Sequence, residues 1–177
     1  MIAYRLARPT DAARIADLHT RSWQTAYRGI LPDTYLDHEA PAERLGTWRE
    51  RFTNPAPNQR VLLAEEAGTL VGFIALFLDE HPELGTLVDN LHADPARKGQ
   101  GIGSGLLREA ARSILPEATS PGFYLTVFEQ NRPAIQFYER MGGVCVAHTT
   151  HGVPGGALAA ARHYAWPNGS ILSASIR

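Results

Sequence analysis

Cysteine is nearly missing from this sequence: Cys145 is the only one in 177 residues. A lone thiol forms no internal disulfide framework and fits a reducing compartment, so the cytoplasm is the expected location. An excess of charge of one sign is missing as well. Lysine and arginine number 17 against 18 aspartates and glutamates, a formal net charge of −1. That balance leaves no global positive field to hold a phosphate backbone, so nucleic acid is not an expected partner. Long hydrophobic runs are also absent. No stretch approaches the roughly 20 apolar residues of a membrane span, and the opening MIAYRLARPTDAARIADL carries Asp11 and Asp17 where a signal peptide needs an unbroken apolar core. Repeats, low-complexity segments and linkers are lacking too, and the length favours one domain over residues 1–177. A domain of this size buries roughly two thirds of its unfolded surface and needs no disulfide or metal staple.

Periodicity and turn residues order the elements. IAYRLA (Ile2 to Ala7) reads as a strand ended by Pro9, with Thr10 as the N-cap of a helix carrying Ala13, Ile15, Ala16, Leu18 and Trp23. Gly29 and Pro32 separate it from a second helix near Pro41 to Phe52, and NPAPN (Asn54 to Asn58) reads as a surface loop. RVLLAEEAGTLVGFIALFL reads as a hairpin around Gly68, and GTLVDNLHADP as a further strand closed by Pro95. From Gly101, Ile102, Leu106, Leu107, Ala110 and Ile114 keep helical spacing. GFYLTVF is a strand, and NRPAIQFYERMGG a helix capped by Asn131 and stopped by Gly142. VCVAHTT and ALAAARHYAW form a closing hairpin. The order β α α β β β α β α β β describes an α+β sheet with helices packed on it.

Between the strand ending at Ala93 and the helix after it stands DPARKGQGIGSGLL, with Gly99, Gly101, Gly103 and Gly105 at alternate positions. A helix N-terminus offers unpaired N–H groups and about half a positive charge, and glycines let a phosphate approach them. The dinucleotide fingerprint GxGxxG fails, because Ser104 or Leu106 falls on the third glycine. The P-loop fails because no lysine followed by serine or threonine comes after the glycines.

LHADPARKGQGIGSGLL resembles the pyrophosphate-binding motif of the GCN5-related N-acetyltransferases, R/Q-x-x-G-x-G/A after a strand ending in an apolar residue, any residue and proline. Lys98 takes the first position, with a point charge in place of arginine's planar fork, Gly101 and Gly103 are the glycines, and Ala93 is the apolar residue. LTVFEQNRPAIQFYERMGG is similar to that family's next strand and helix, with Asn131, Ala134, Phe137 and Tyr138 at the matching positions, and SWQTAYRGILPD resembles a segment common in bacterial members. The resemblance implies α/β/α layers: a mixed, mostly antiparallel sheet of about seven strands flanked by about four helices.

It also implies direct transfer of an acetyl group from acetyl-CoA, as co-substrate and without a metal, to a primary amine of a small molecule. The alternatives are a protein N-terminal or lysine acetyltransferase and a non-catalytic acyl-CoA-binding module. Carried over by position, Lys98, Gly99, Gln100, Gly101, Ile102, Gly103 and Ser104 hold the pyrophosphate. Leu91, His92 and Ala93 line the pantetheine arm between DNLHA and LTVFE, and Asn131, Ala134, Phe137 and Tyr138 flank it. Tyr138 is the candidate general acid for the CoA thiolate. With a thiol near 8.5 and a phenol near 10, full transfer runs uphill by about 2 kcal/mol, so hydrogen bonding is its stronger contribution. Asp89 and His92 are candidate bases with Glu129 behind them, although strand alternation places Asp89 and His92 on opposite faces unless a bulge intervenes. Read alone, each of these three is a solvated surface residue. Trp23, Tyr27, Asp89 and Glu129 are the expected acceptor contacts, while Tyr35 and Trp48 read as core. His148 and His151 form an HxxH that lacks the helical zinc-site pattern. The C-terminal ILSASIR is able to pair as an edge strand with a second subunit, a possible homodimer.

Overall fold

The computed structural model describes residues 1–154 and 157–167; the C-terminal ILSASIR lies outside them. Seven strands form one sheet in the order β1-β2-β3-β4-β5-β7-β6. They are β1 (Ile2–Leu6), β2 (Gln59–Glu66), β3 (Thr69–His81), β4 (Gly85–Ala93), β5 (Phe123–Phe128), β6 (Val144–Gly152) and β7 (Leu158–Trp166). Only β4 and β5 run parallel to each other, and every other pair is antiparallel. The helices α1 (Ala12–Ala26), α2 (Ala40–Thr53), α3 (Ile102–Ser113) and α4 (Arg132–Arg140) fall where the sequence pattern puts them.

The central strands are apolar on both faces because each face meets helices. On β2, Leu62 and Ala64 join one core while Val61 and Leu63 join the other; on β3, Ile74, Leu76 and Leu78 oppose Phe73 and Ala75. Leu106, Leu107 and Ala110 of α3, Ile114 at its C-terminal cap and Ile135 of α4 cover the first face. Ile15, Ala16 and Leu18 of α1 and Trp48 of α2 cover the second. Two glycines set the distance of α3 from the sheet: a Cβ on Gly72 would stand 2.6 Å from Ile102, and one on Gly105 would stand 2.1 Å from the Tyr4 hydroxyl. The alanines of β7 do not weaken the closing hairpin, since Ala161, Tyr164, Ala165 and Trp166 are all buried.

Two local readings need correction. Thr10 does not cap α1. Pro9–Asp11 forms a short 3₁₀ turn, and the buried Asp11 carboxylate accepts from the Arg8 N–H at 2.8 Å and from both terminal nitrogens of Arg5, each at 2.8 Å. Nor is the entry to α2 a plain loop. Tyr35–Glu39 forms a π-helical turn in which the Ala40 N–H reaches back to the Tyr35 carbonyl. It packs Leu31, Tyr35 and Leu36 into a third small core against Trp23 and Tyr27.

Candidate active site

The glycine loop ends in a backbone turn only glycine adopts readily. Gly99 has φ +82° and Gly101, the N-cap of α3, has φ +76°. The first bond of the helical ladder runs from the Gly105 N–H to the Gly101 carbonyl at 2.9 Å, so the N–H groups of Ile102, Gly103 and Ser104 stand ahead of it without intrahelical acceptors. The Ser104 hydroxyl instead donates to the Gly101 carbonyl at 2.9 Å, which ties the turn. Lys98 and Gln100 are exposed beside it. Phe137 of α4 lies against the loop: a Cβ on Gly103 would meet its ring at 3.3 Å. The two sequence blocks that carried the resemblance are thus packed on each other.

From the loop a cleft runs between β4 and β5. These strands pair only at Thr86↔Phe123 and Leu87↔Tyr124 and then separate, leaving the β5-facing edge of Val88–Ala93, including Leu91 and Ala93, without a ladder partner. The bulge that the alternation argument asked for is present. Ala75 of β3 faces Asn90 while Leu76 faces Val88, so Asp89 is an extra residue on β4. The added residue shifts the side-chain phase, and Asp89 and His92 line the same cavity of about 390 Å³. Trp23 from α1 and Tyr27 at its C-terminal cap, Arg44 and Arg51 from α2, Thr126 and Phe128 from β5 and His151 from β6 form much of its wall.

The charges in this cavity differ from a solvated-surface picture. Asp89 is exposed but accepts from Arg51 at 2.7 Å, a contact that offsets its charge. His92 is enclosed: Nδ1 lies 2.9 Å from the Ser22 hydroxyl, and the ring stands 4.4 Å from His19 and 5.4 Å from Phe73. Burial, with the Arg44 charge adding, pushes the His92 imidazole down to about 3. His92 is therefore neutral across the working range, which corrects its reading as a solvated residue. As a base it would be weak, because taking a proton from an ammonium near 8 to 10 onto such a group is steeply uphill. His19, wholly buried, is likewise pushed well down by desolvation. Trp48 donates its indole N–H to His19 Nδ1 at 3.0 Å, and Nε2 is buried without a partner.

The remaining expected residues fall into three positions. Tyr138 is half-buried on α4, its ring 5.3 Å from Phe137 and 5.9 Å from Trp166. Burial first, and the Tyr27 phenol second, push its hydroxyl above the ordinary tyrosine value. Tyr27 itself is pushed up to about 12 by burial. Asn131 caps α4, Oδ1 accepting from the Ala134 N–H at 3.3 Å, so the capping function is observed. Glu129 is not brought to the cavity: it accepts from Arg162 and His148, each at 3.0 Å. Among the described residues no group of three histidine, cysteine or carboxylate side chains is arranged to hold a metal.

Sequence reasoning missed Arg44, Arg51, Ser22 and His19. A signal for the arginines existed. Arg44, Trp48 and Arg51 recur at helical spacing on α2, so one face of that helix carries a core tryptophan between two cations. His19 and Ser22 gave no signal, because they meet β4 only through the fold.

The profile of the acetyltransferase (GNAT) family matches residues 14–143. The uncharacterized N-acetyltransferase YuaI of Bacillus subtilis is 28% identical over 174 residues, 97% of this chain and 96% of that protein. The L-amino acid N-acetyltransferase AaaT of Escherichia coli is 26% identical over 143 residues, 80% of this chain and 82% of that protein. Among solved structures, the PaiA N-acetyltransferase of Thermoplasma acidophilum in complex with coenzyme A superposes with a TM-score of 0.66 at 21% identity, over 93% of this chain and 99% of that one.

Proposed function

The chain belongs to the acetyltransferase (GNAT) family and is an N-acetyltransferase, and on that premise we propose that it transfers an acetyl group from acetyl-CoA directly to a primary amine of a small molecule. The observation that carries this reading is the continuity of the glycine turn, the β4–β5 cleft and the aromatic cavity. A helix start suited to anions at one end leads through an opened sheet to the aromatic-walled cavity at the other.

The loop fits the pyrophosphate of acetyl-CoA, since the N–H groups of Ile102, Gly103 and Ser104 precede the first ladder bond of α3 and stand at the positive end of its dipole. The co-substrate supplies an acetyl thioester already activated for acyl transfer. Unpaired main chain of β4 near Leu91, His92 and Ala93 suits the pantetheine arm, and an N–H there is able to support the carbonyl oxygen as charge develops. Tyr138 keeps its proton because its phenol is pushed up, so it serves the departing thiolate as a hydrogen-bond donor. His92, neutral and held by Ser22, is available to accept a hydrogen bond from the amine or from a water that carries its proton away. A cavity of about 390 Å³ walled in part by Trp23, Tyr27 and Phe128 suits a small acceptor. Incubating the protein with acetyl-CoA and a panel of amines and peptides, with free thiol as the readout, tests this. Thiol release with small amines is the expected result; background release with acetyl-CoA bound would favour a non-catalytic binding module.

A further inference from the structure

Two arginines project into a cavity meant for an amine, and an amine site does not need them. A site for a polyamine or a lysine side chain gains from carboxylates, since cationic walls repel the acceptor. Here the wall residues include Arg44 and Arg51 against a single carboxylate, Asp89, and Arg51 holds Asp89 at 2.7 Å. Arg44 is the cation with no counter-ion in the wall. Among the described residues its carboxylate partner is Glu43, the neighbouring residue on α2, which contacts it through Nη2 and lies outside the cavity lining. Its Nε is buried without an acceptor.

The guanidinium is also built into place. It lies over the Trp23 ring at 4.4 Å, and Trp23 is seated against His19 and Tyr35 at 4.8 and 6.5 Å. Glu43 is fixed in turn by the Tyr35 hydroxyl at 2.8 Å, and Tyr35 belongs to the π-helical turn that leads into α2. A planar donor fork held on an aromatic face is the arrangement that recognises a planar carboxylate. Arg44 and His92 line the same cavity, so the guanidinium stands in the space beside β4. Tyr27, Leu31, Leu87, Val88 and Phe128 form an aromatic and aliphatic part of the wall, beside the polar Asn90, Thr126 and His151.

We propose that the acceptor is an α-amino carboxylate with an apolar side chain, its carboxylate held by Arg44 beside the amine and its side chain against Tyr27, Leu31 and Phe128. This rests on the cavity being the acceptor site, as argued above. Arg44 is then the specificity-determining residue, and it excludes spermidine-like amines by charge.

The test compares acceptors that differ only in the anion: phenylalanine with phenylalaninamide, leucine with leucinamide, and both pairs with spermidine and a peptide carrying a free N-terminus. Rates are expressed per neutral amine. The free acids should exceed their amides by about 10- to 100-fold in kcat/KM, the span of one charge-assisted hydrogen-bonded contact. Arg44→Gln should collapse that ratio toward one, chiefly by raising KM for the acids, and Arg44→Lys should keep part of it. Acetyl-CoA binding by calorimetry checks that each variant is folded, and the wild-type comparison needs no variant at all. Amides, spermidine or the peptide matching or exceeding the acids would overturn the proposal, as would Arg44→Gln lowering acid and amide rates alike. If no acceptor of any class is acetylated while acetyl-CoA binds, the acetyltransfer reading fails and takes this one with it.

Discussion

Replacing Gly101 by aspartate separates the loop's structural and binding functions. At φ +76° a Cβ is strained by about 1–2 kcal/mol, but its nearest contact would be the Ser104 hydroxyl at 3.7 Å, an ordinary distance. Alanine should therefore destabilise the fold by that strain. Aspartate should destabilise it less, because it tolerates the left-handed region and its carboxylate at the start of α3 recovers about 0.3–1 kcal/mol. Binding should reverse the order. Two unit charges 4 Å apart repel by about 4 kcal/mol at an effective dielectric of about 20, and if roughly half survives salt and exposure, the dissociation constant for acetyl-CoA rises about 30-fold. The aspartate also competes for the N–H groups of Gly103 and Ser104 that the pyrophosphate would use. Thermal unfolding paired with calorimetric titration reads both effects on the same samples. Gly101→Asp should melt at or above Gly101→Ala yet bind acetyl-CoA at least about tenfold more weakly than it does. Equal affinities for the two variants, or Gly101→Asp within about threefold of wild type, would refute the placement of the pyrophosphate on this helix start.

Tyr138→Phe should lower kcat by about 10- to 100-fold, at or below the bottom of the range for a general acid because its contribution is hydrogen bonding, with acetyl-CoA affinity nearly unchanged. An unaltered single-turnover rate would remove Tyr138 from the chemistry. Because its phenol is pushed above 10.0, no alkaline limb due to this residue should appear in the kcat profile below that pH. Gly105→Ala sets a Cβ 2.1 Å from the Tyr4 hydroxyl and should cost about 1–3 kcal/mol, roughly 2–12 °C in Tm. Adding Tyr4→Phe removes the clashing atom and should recover most of the loss; no recovery would mean the strain lies elsewhere. Acid stability should depend on His92. Its folded value of about 3 lies below the ordinary 6.5, so the unfolded chain binds the extra proton between them. The stability contributed is complete above pH 6.5 and declines as pH falls toward 3, with a slope of up to about 1.4 kcal/mol per unit. Urea unfolding at pH 5 and 7.5 should show the decline in wild type and a shallower one in His92→Asn; a flat wild-type profile would contradict the burial of a neutral imidazole.

Local chemistry made much of this protein legible in its sequence. Gly101 before Ile102, Asn131 before Pro133 and the hairpin turn at Gly68 are signals complete within a few residues, because capping, turn conformation and side-chain period are properties of short backbone. They set the order of strands and helices and the anion-binding start of α3. The acceptor cavity was decided elsewhere. Whether Asp89 and His92 share a face depends on where β4 bulges against β3, a register set by residues of another strand. Whether His92 is charged depends on His19, Ser22 and Arg44, which come from helices far away in the chain and exclude water only once packed. Helical spacing puts Arg44 on the face of α2 that carries Trp48 and Arg51, but not which way its guanidinium turns. The π-helical turn before α2 and the ring of Trp23 turn it inward, and side-chain direction and desolvation are long-range properties that a linear pattern does not carry.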